Sequence, residues 1–148
     1  MDENGLDLIF SGLKEIKPVG KVWGKFSLKI NGEKIVFKPY ENKKDFFYFD
    51  FSQTILAIKY CLKMLQQNES FECPIVVDFS GDEDSHSIRI KIKQLNSNVR
   101  VELVEIFEGM SFHLYGPVVL PKPEFSKKLK SFLNELRLAL KGKIFFKK

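Results

Sequence analysis

Residues 22–40 constrain the fold more than any other stretch. Val22, Gly24, Phe26, Leu28 and Ile30 alternate with Trp23, Lys25, Ser27 and Lys29, and Asn31-Gly32 follows directly. Alternation with period two is the mark of a half-buried strand. Asn-Gly is the dipeptide best suited to a type I′ turn, because both central residues need positive φ. A two-residue loop sets Ile30 opposite Glu33, Leu28 opposite Ile35 and Phe26 opposite Phe37, so the large apolar partners share one face. The other face sets Lys29 against Lys34 and Lys25 against Lys38. Opposed lysines repel, so that face is expected to be wet or to meet something acidic.

The remaining elements follow from periodicity and punctuation. A short helix is expected around residues 6–15. Residues 45–51 are dense in aromatics, and Asp50 with Gln53 has the spacing of a capping box. Ile55, Ile58, Leu62 and Leu65 then recur at helical intervals, which predicts a helix over 51–67. Pro74–Phe79 reads as a strand, and Gly81–Ser85 as a polar turn. Ile88, Ile90 and Ile92 alternate with Arg89, Lys91 and Lys93, and Val99, Val101 and Leu103 repeat the pattern beyond the Asn96-Ser97-Asn98 turn. Phe112–Tyr115 and Val118–Leu120 extend the meander, bent near Gly116-Pro117. Pro123 suits the first turn of a second helix. Its apolar stripe is Phe125, Leu129, Phe132, Leu133, Leu136 and Leu140, and Gly142 is its natural end. The expected fold is therefore α+β: one antiparallel sheet of about five to six strands, opened by a β-hairpin, with two amphipathic helices (51–67 and 123–141) packed on one face. At 148 residues the chain is expected to form a single domain, 1–148.

Composition narrows the setting. Every apolar run is far shorter than the ~20 residues needed to span a bilayer, so no membrane role is expected. Two cysteines, Cys61 and Cys73, are too few for a disulfide framework. The acidic, polar start Met1-Asp2-Glu3-Asn4-Gly5 does not read as a secretory leader. A reducing cytoplasm is the expected place. The 21 Lys against 3 Arg, with abundant Phe, Ile and Asn, indicate an A/T-rich, bacterial genome. Net charge is +5, with basic segments at 21–44 and 122–148 around an acidic middle. Such a balance favours nucleic acid or an acidic protein as partner.

Catalytic signatures are sparse. The loop Asp78…Asp82-Glu83-Asp84…His86 is the best local candidate for a cation, but it lacks the EF-hand frame and reads better as a solvated hairpin turn. Cys61 lies on the apolar side of its helix as core filler, whereas Cys73, before Pro74, is expected nearer the surface. His113 reads as a surface histidine. Gly20–Lys25 leads into a strand and lacks the helix N-terminus that a phosphate loop needs. No cofactor and no catalytic residue is expected. The leading functional expectation is a non-catalytic protein-binding module, a small inhibitor or immunity-type protein acting on a cognate partner such as a toxin. The alternative is nucleic-acid binding on a lysine-rich open sheet face, where exposed aromatics stack on bases and lysines neutralise phosphate. The candidate binding residues are Trp23, Lys25, Lys29, Lys38, Tyr40, Lys91 and Lys93 on the sheet, with Asp82, Glu83 and Asp84 on the acidic loop.

Overall fold

The Asn-Gly turn forms as its residues require: in a computed structural model of the chain, Asn31 and Gly32 take φ of 54° and 85°. The structure describes residues 6–16, 21–37, 45–80 and 82–145. Strand β1 (Leu6–Ile16) runs antiparallel to β2 (Lys21–Ile30), which turns at Asn31-Gly32 into the two-residue β3 (Glu33–Lys34). Residues 6–15 are thus strand and not the expected short helix. Leu6 is buried, Asp7 exposed and Leu8 half-buried, a period of two that sets Leu6 against Ile30 and Leu8 against Leu28. The apolar face of β2 needed a partner, and that pairing overrides local helical preference.

The hairpin register holds only next to the turn. Ile30 pairs with Glu33, Lys29 with Lys34, and the Ile35 N–H donates to the Leu28 carbonyl at 2.8 Å. Farther along, β2 takes a different partner, β4 (Phe47–Asp50), which sets Phe26 against Phe47, Lys25 against Tyr48 and Trp23 against Asp50. The aromatic run displaces Phe37 from the ladder, and Tyr48 stands opposite Lys25; Lys38, the partner expected for Lys25, lies outside the described residues. Phe37 remains fully buried beside Phe26 and Phe47.

Asp50 caps helix α1 (Phe51–Gln66), its carboxylate accepting from the Gln53 N–H at 3.0 Å as the capping spacing implies. Strands β5 (Phe71–Val77), β6 (His86–Leu95), β7 (Asn98–Phe107) and β8 (Met110–Pro121) then form an antiparallel meander. Helix α2 (Lys122–Phe145) follows and continues past Gly142. The two expected pieces of the last strand are one strand, with a cis Gly116–Pro117 bond inside it.

The fold is α+β with antiparallel sheets and two helices, but the single sheet of five to six strands is replaced by two sheets of four strands each. The break falls where α1 separates β4 from β5. Four residues of β4 are too few to carry a full second ladder. The sheets touch there through one bridge, Phe49–Asp78, and a bond from the Phe79 N–H to the Tyr48 carbonyl at 3.0 Å. Nor do the helices cover one face of one sheet. Helix α1 packs on both β2 and β5, and α2 on β1, β7 and β8. The Thr54 hydroxyl pins α1 to β5 by accepting from the Val77 N–H at 3.1 Å.

Residues of both sheets and both helices share one buried cluster. Phe26, Leu28, Phe37, Ile58, Ile90, Phe132 and Leu136 are buried as the periodicity implies, while Leu62 is half-buried. Gly24 is the tightest point on the inner face of β2: a Cβ there would lie 2.6 Å from the Phe51 ring and 2.8 Å from the Phe49 ring. Those rings stack at 4.8 Å and are both fully buried. Gly24→Ala is therefore expected to lower stability by about 1–3 kcal/mol, the usual penalty of overpacking. Urea denaturation of the variant checks this, and an unchanged midpoint would show that the two rings can move apart.

Candidate functional site

Alternation on β2 sends Gly24 and Phe26 inward and Trp23 and Lys25 outward. Pairing with β4 then places Tyr48 directly beside Lys25. The Lys25 ammonium lies 4.6 Å from the Phe46 ring centroid and 6.0 Å from that of Tyr48, and the two rings meet edge-on at 5.9 Å. An ammonium at this range is drawn to the negative face of a ring, worth about 0.5–1 kcal/mol at an exposed site. Beyond β4, Phe79 leaves the end of β5 and packs on Trp23 with centroids 4.8 Å apart. Its own backbone is tied to Tyr48. The junction of the two sheets thus carries Trp23, Lys25, Phe46, Tyr48 and Phe79 as one patch. Tyr48 is 38% and Phe79 44% exposed.

The expected lysine-rich face is not one surface. Lys25 and Lys29 stand on β2, whereas Lys91 and Lys93 stand on β6 in the other sheet. Along β2 itself the strip is interrupted, because Ser27, between the two lysines, is only 4% exposed. Lys29 lies opposite Asp7 on one side and Lys34 on the other. On the meander, Lys91 sits between Glu72 and Glu102 in the cross-strand row. Arg89 reaches Glu72 at 3.6 Å and Glu83 at 3.4 Å, and His113 lies 3.9 Å from Glu102. Lys93 and Arg100 make a like-charged pair in the same sheet. The result is a mixed-charge surface. Lys38 and Tyr40 lie outside the described residues.

The acidic loop is built from turns closed by its own carboxylates. Asp78 accepts from the Ser80 N–H at 3.0 Å and from the hydroxyls of Ser80 and Ser85. Asp82 accepts from the Asp84 N–H at 3.0 Å. The loop is clamped to the β7–β8 turn, where the Gly109 N–H donates to the Asp84 carbonyl at 2.9 Å. Among the described residues no three His, Cys, Asp or Glu side chains gather as a metal-holding group. The side chains of Asp82, Glu83 and Asp84 are exposed, on the loop that opens with Phe79.

His86 does not belong to that loop's surface. It turns inward, and its Nε2 lies 2.6 Å from Oε2 of Glu105, both side chains being almost fully buried. One hydrogen must lie between the two atoms. Phe47 stacks on the imidazole at 4.1 Å, while Phe37 and Phe107 meet it edge-on at 6.1 and 5.3 Å. The other carboxylate oxygen, Oε1, finds no hydrogen-bond partner among the described residues. Sequence reasoning missed this pair although period two exposes it. Glu105 continues the inward series Val99, Val101, Leu103, and His86 begins the series Ile88, Ile90, Ile92. Phe46 and Tyr48 were missed because they stand inside an aromatic run, and Phe79 because it read as the end of a strand.

Comparison with protein-family models, with curated proteins and with solved structures found no match for the chain. Among the described residues no helix is long and apolar enough to cross a membrane.

Proposed function

We propose that the chain is a non-catalytic protein-binding module, a small inhibitor of the immunity type that acts on a cognate protein such as a toxin. Its contact surface is the sheet-junction patch of Trp23, Lys25, Phe46, Tyr48 and Phe79, with Asp82, Glu83 and Asp84 as its polar flank. The observation that carries this reading is the exposure of Tyr48 and Phe79 on backbone bonded across the sheet junction. Large aromatics are the commonest anchors of protein interfaces. Anchors already held in place lose little conformational entropy on binding. The loop carboxylates offer charge to a basic partner, and Lys25 offers a single cation among rings.

The product of the gene adjacent to this one is the first partner to titrate, by calorimetry with purified proteins. Tyr48→Ala and Phe79→Ala are each expected to weaken binding by about 2 kcal/mol or more, as central aromatic anchors do. Lys91→Ala, on the mixed-charge face, should leave affinity within a few-fold. Binding that ignores Tyr48 and Phe79 but fails on loss of Lys91 and Lys93 would move the surface to the meander.

The nucleic-acid alternative is read from the salt dependence of single-strand binding, about −0.7 in log K per log[salt] for each phosphate neutralised. Weak binding that vanishes near physiological salt is expected, because carboxylates flank Lys91 and Ser27 interrupts the β2 lysines. Tight binding at physiological salt, abolished by Trp23→Ala, would make nucleic acid the better account.

A further inference from the structure

The outer face of the β5–β8 meander holds a depression of about 500 Å³ that shares no residue with the sheet-junction patch. Alternation builds it. On β6, Ile90 and Ile92 are buried, so Lys91 and Lys93 point outward. On β7, Val99 and Val101 are buried, so Arg100 and Glu102 point outward. The antiparallel register sets Lys93 directly opposite Arg100, and Lys91 opposite Glu102. Side chains facing each other in this way begin about 4.5–5.5 Å apart, so two cations share one end of the depression. Ser70 lines the same end, one step beyond the Phe71–Ile92 pair. Its hydroxyl oxygen accepts from the Gln94 N–H at 3.3 Å, which fixes the oxygen and leaves its hydrogen to donate.

The carboxylates of the depression are engaged elsewhere. Glu72 lies 3.6 Å from Arg89, and Glu102 lies 3.9 Å from His113. Among the described residues, the side chains of Lys93 and Arg100 enter no ion pair and no hydrogen bond. Like charges directly opposite each other destabilise a ladder, and here no carboxylate relieves them. The hairpin of β2 and β3 also opposes two lysines, Lys29 and Lys34, but Asp7 stands on the other side of Lys29.

We propose that the Ser70–Lys93–Arg100 end of the depression binds a phosphate group, either free phosphate or the head of a small phosphomonoester. A phosphate dianion offsets both cations, which a single carboxylate does not. Its tetrahedral oxygens suit donors that converge from three segments. The planar guanidinium of Arg100 presents two parallel N–H groups to two oxygens. The Lys93 ammonium and the Ser70 hydroxyl supply donors for the others. The remainder of the depression is lined by Lys91, Glu72 and Glu102. Carboxylates there accept from hydroxyl groups and repel a second phosphate, so a small hydroxylated body fits that end better than a polyphosphate or a nucleic-acid strand.

The test is a titration of the wild-type chain, followed by nitrogen-15 NMR, with inorganic phosphate and separately with glycerol 3-phosphate. Sodium chloride at equal ionic strength is the blank. Saturable shifts are expected at the amides of Ser70, Lys93, Gln94 and Arg100, and none at Lys29 and Lys34. Lys93→Gln and Arg100→Gln should each weaken binding about ten-fold or more, as loss of a hydrogen bond to a charged group does. Arg100→Lys should also weaken it, because the paired N–H groups are lost. In phosphate-free buffer Lys93→Gln should unfold at a urea midpoint no lower than wild type, since half of a repulsive pair is gone. Equal affinity for the two ligands assigns the site to free phosphate, and tighter glycerol 3-phosphate assigns it to a monoester. Shifts reproduced by chloride, equal shifts at Lys29 and Lys34, or an affinity unmoved by Arg100→Gln would each overturn the proposal. So would a single-stranded oligonucleotide that binds this face more tightly than either phosphate.

Discussion

Phe26→Ala should lower the unfolding free energy by about 3–5 kcal/mol, the range for truncating a buried phenylalanine. Phe26 is fully buried and joins four parts of the molecule. Its ring meets Phe47 of β4 at 5.5 Å and Phe132 of α2 at 6.2 Å, both edge-on. Phe37 and Phe49 each lie 6.4 Å away. Truncation removes apolar area worth about 1.5–3 kcal/mol in transfer terms. It also opens a void that four rigid rings cannot close, and the cavity adds the rest. A small domain holds only about 5–15 kcal/mol in all, so the variant should show a much lower denaturant midpoint. Phe26→Leu should recover part of the loss. A shift below about 1 kcal/mol would mean that the ring cluster collapses around the gap and is looser than its geometry implies.

Glu105→Ala is expected to cost about 3–5 kcal/mol, because removal of one partner strands the other in an apolar site. His86 Nε2 would lose its carboxylate while still enclosed by Phe37, Phe47 and Phe107. Glu105→Gln keeps an oxygen near Nε2 and should cost less. The double variant His86→Phe, Glu105→Leu should be far closer to wild type than either of its single variants, since an apolar replacement of a buried polar pair is often neutral or stabilising. Guanidinium unfolding of the four proteins measures the coupling. Additive losses in the double variant would show that the two side chains act independently, against the 2.6 Å contact.

Most local elements are legible in the order of residues alone. Asn31-Gly32 could only turn one way, and Asp50 with Gln53 marked the start of α1. The isoleucines of β6 and the phenylalanine–leucine stripe of α2 declared their buried faces through period alone. These signals are local: they depend on φ, on caps, and on which face of an element is apolar. The functional surface was legible only in part. Trp23, Lys25 and the carboxylates of the acidic loop stood out as residue types, but Phe79 read as the end of a strand; Cys73, expected nearer the surface, is buried.

What the sequence determined by itself, then, was an α+β chain with antiparallel pairing, two amphipathic helices and most of the buried residues. Tertiary structure decided the partners. Residues 6–15 became a strand because the apolar face of β2 was unpaired along its length. Phe47, and not Phe37, took the place opposite Phe26, since a four-residue aromatic strand could ladder with β2 and lead straight into α1. The same short strand split the sheet in two, scattered the lysines, and brought Phe79 onto Trp23. It was also long-range packing that set His86 against Glu105. Contacts between residues far apart in the chain are chosen by competition among many apolar surfaces of similar strength, and no single segment carries the outcome of that competition in its own pattern.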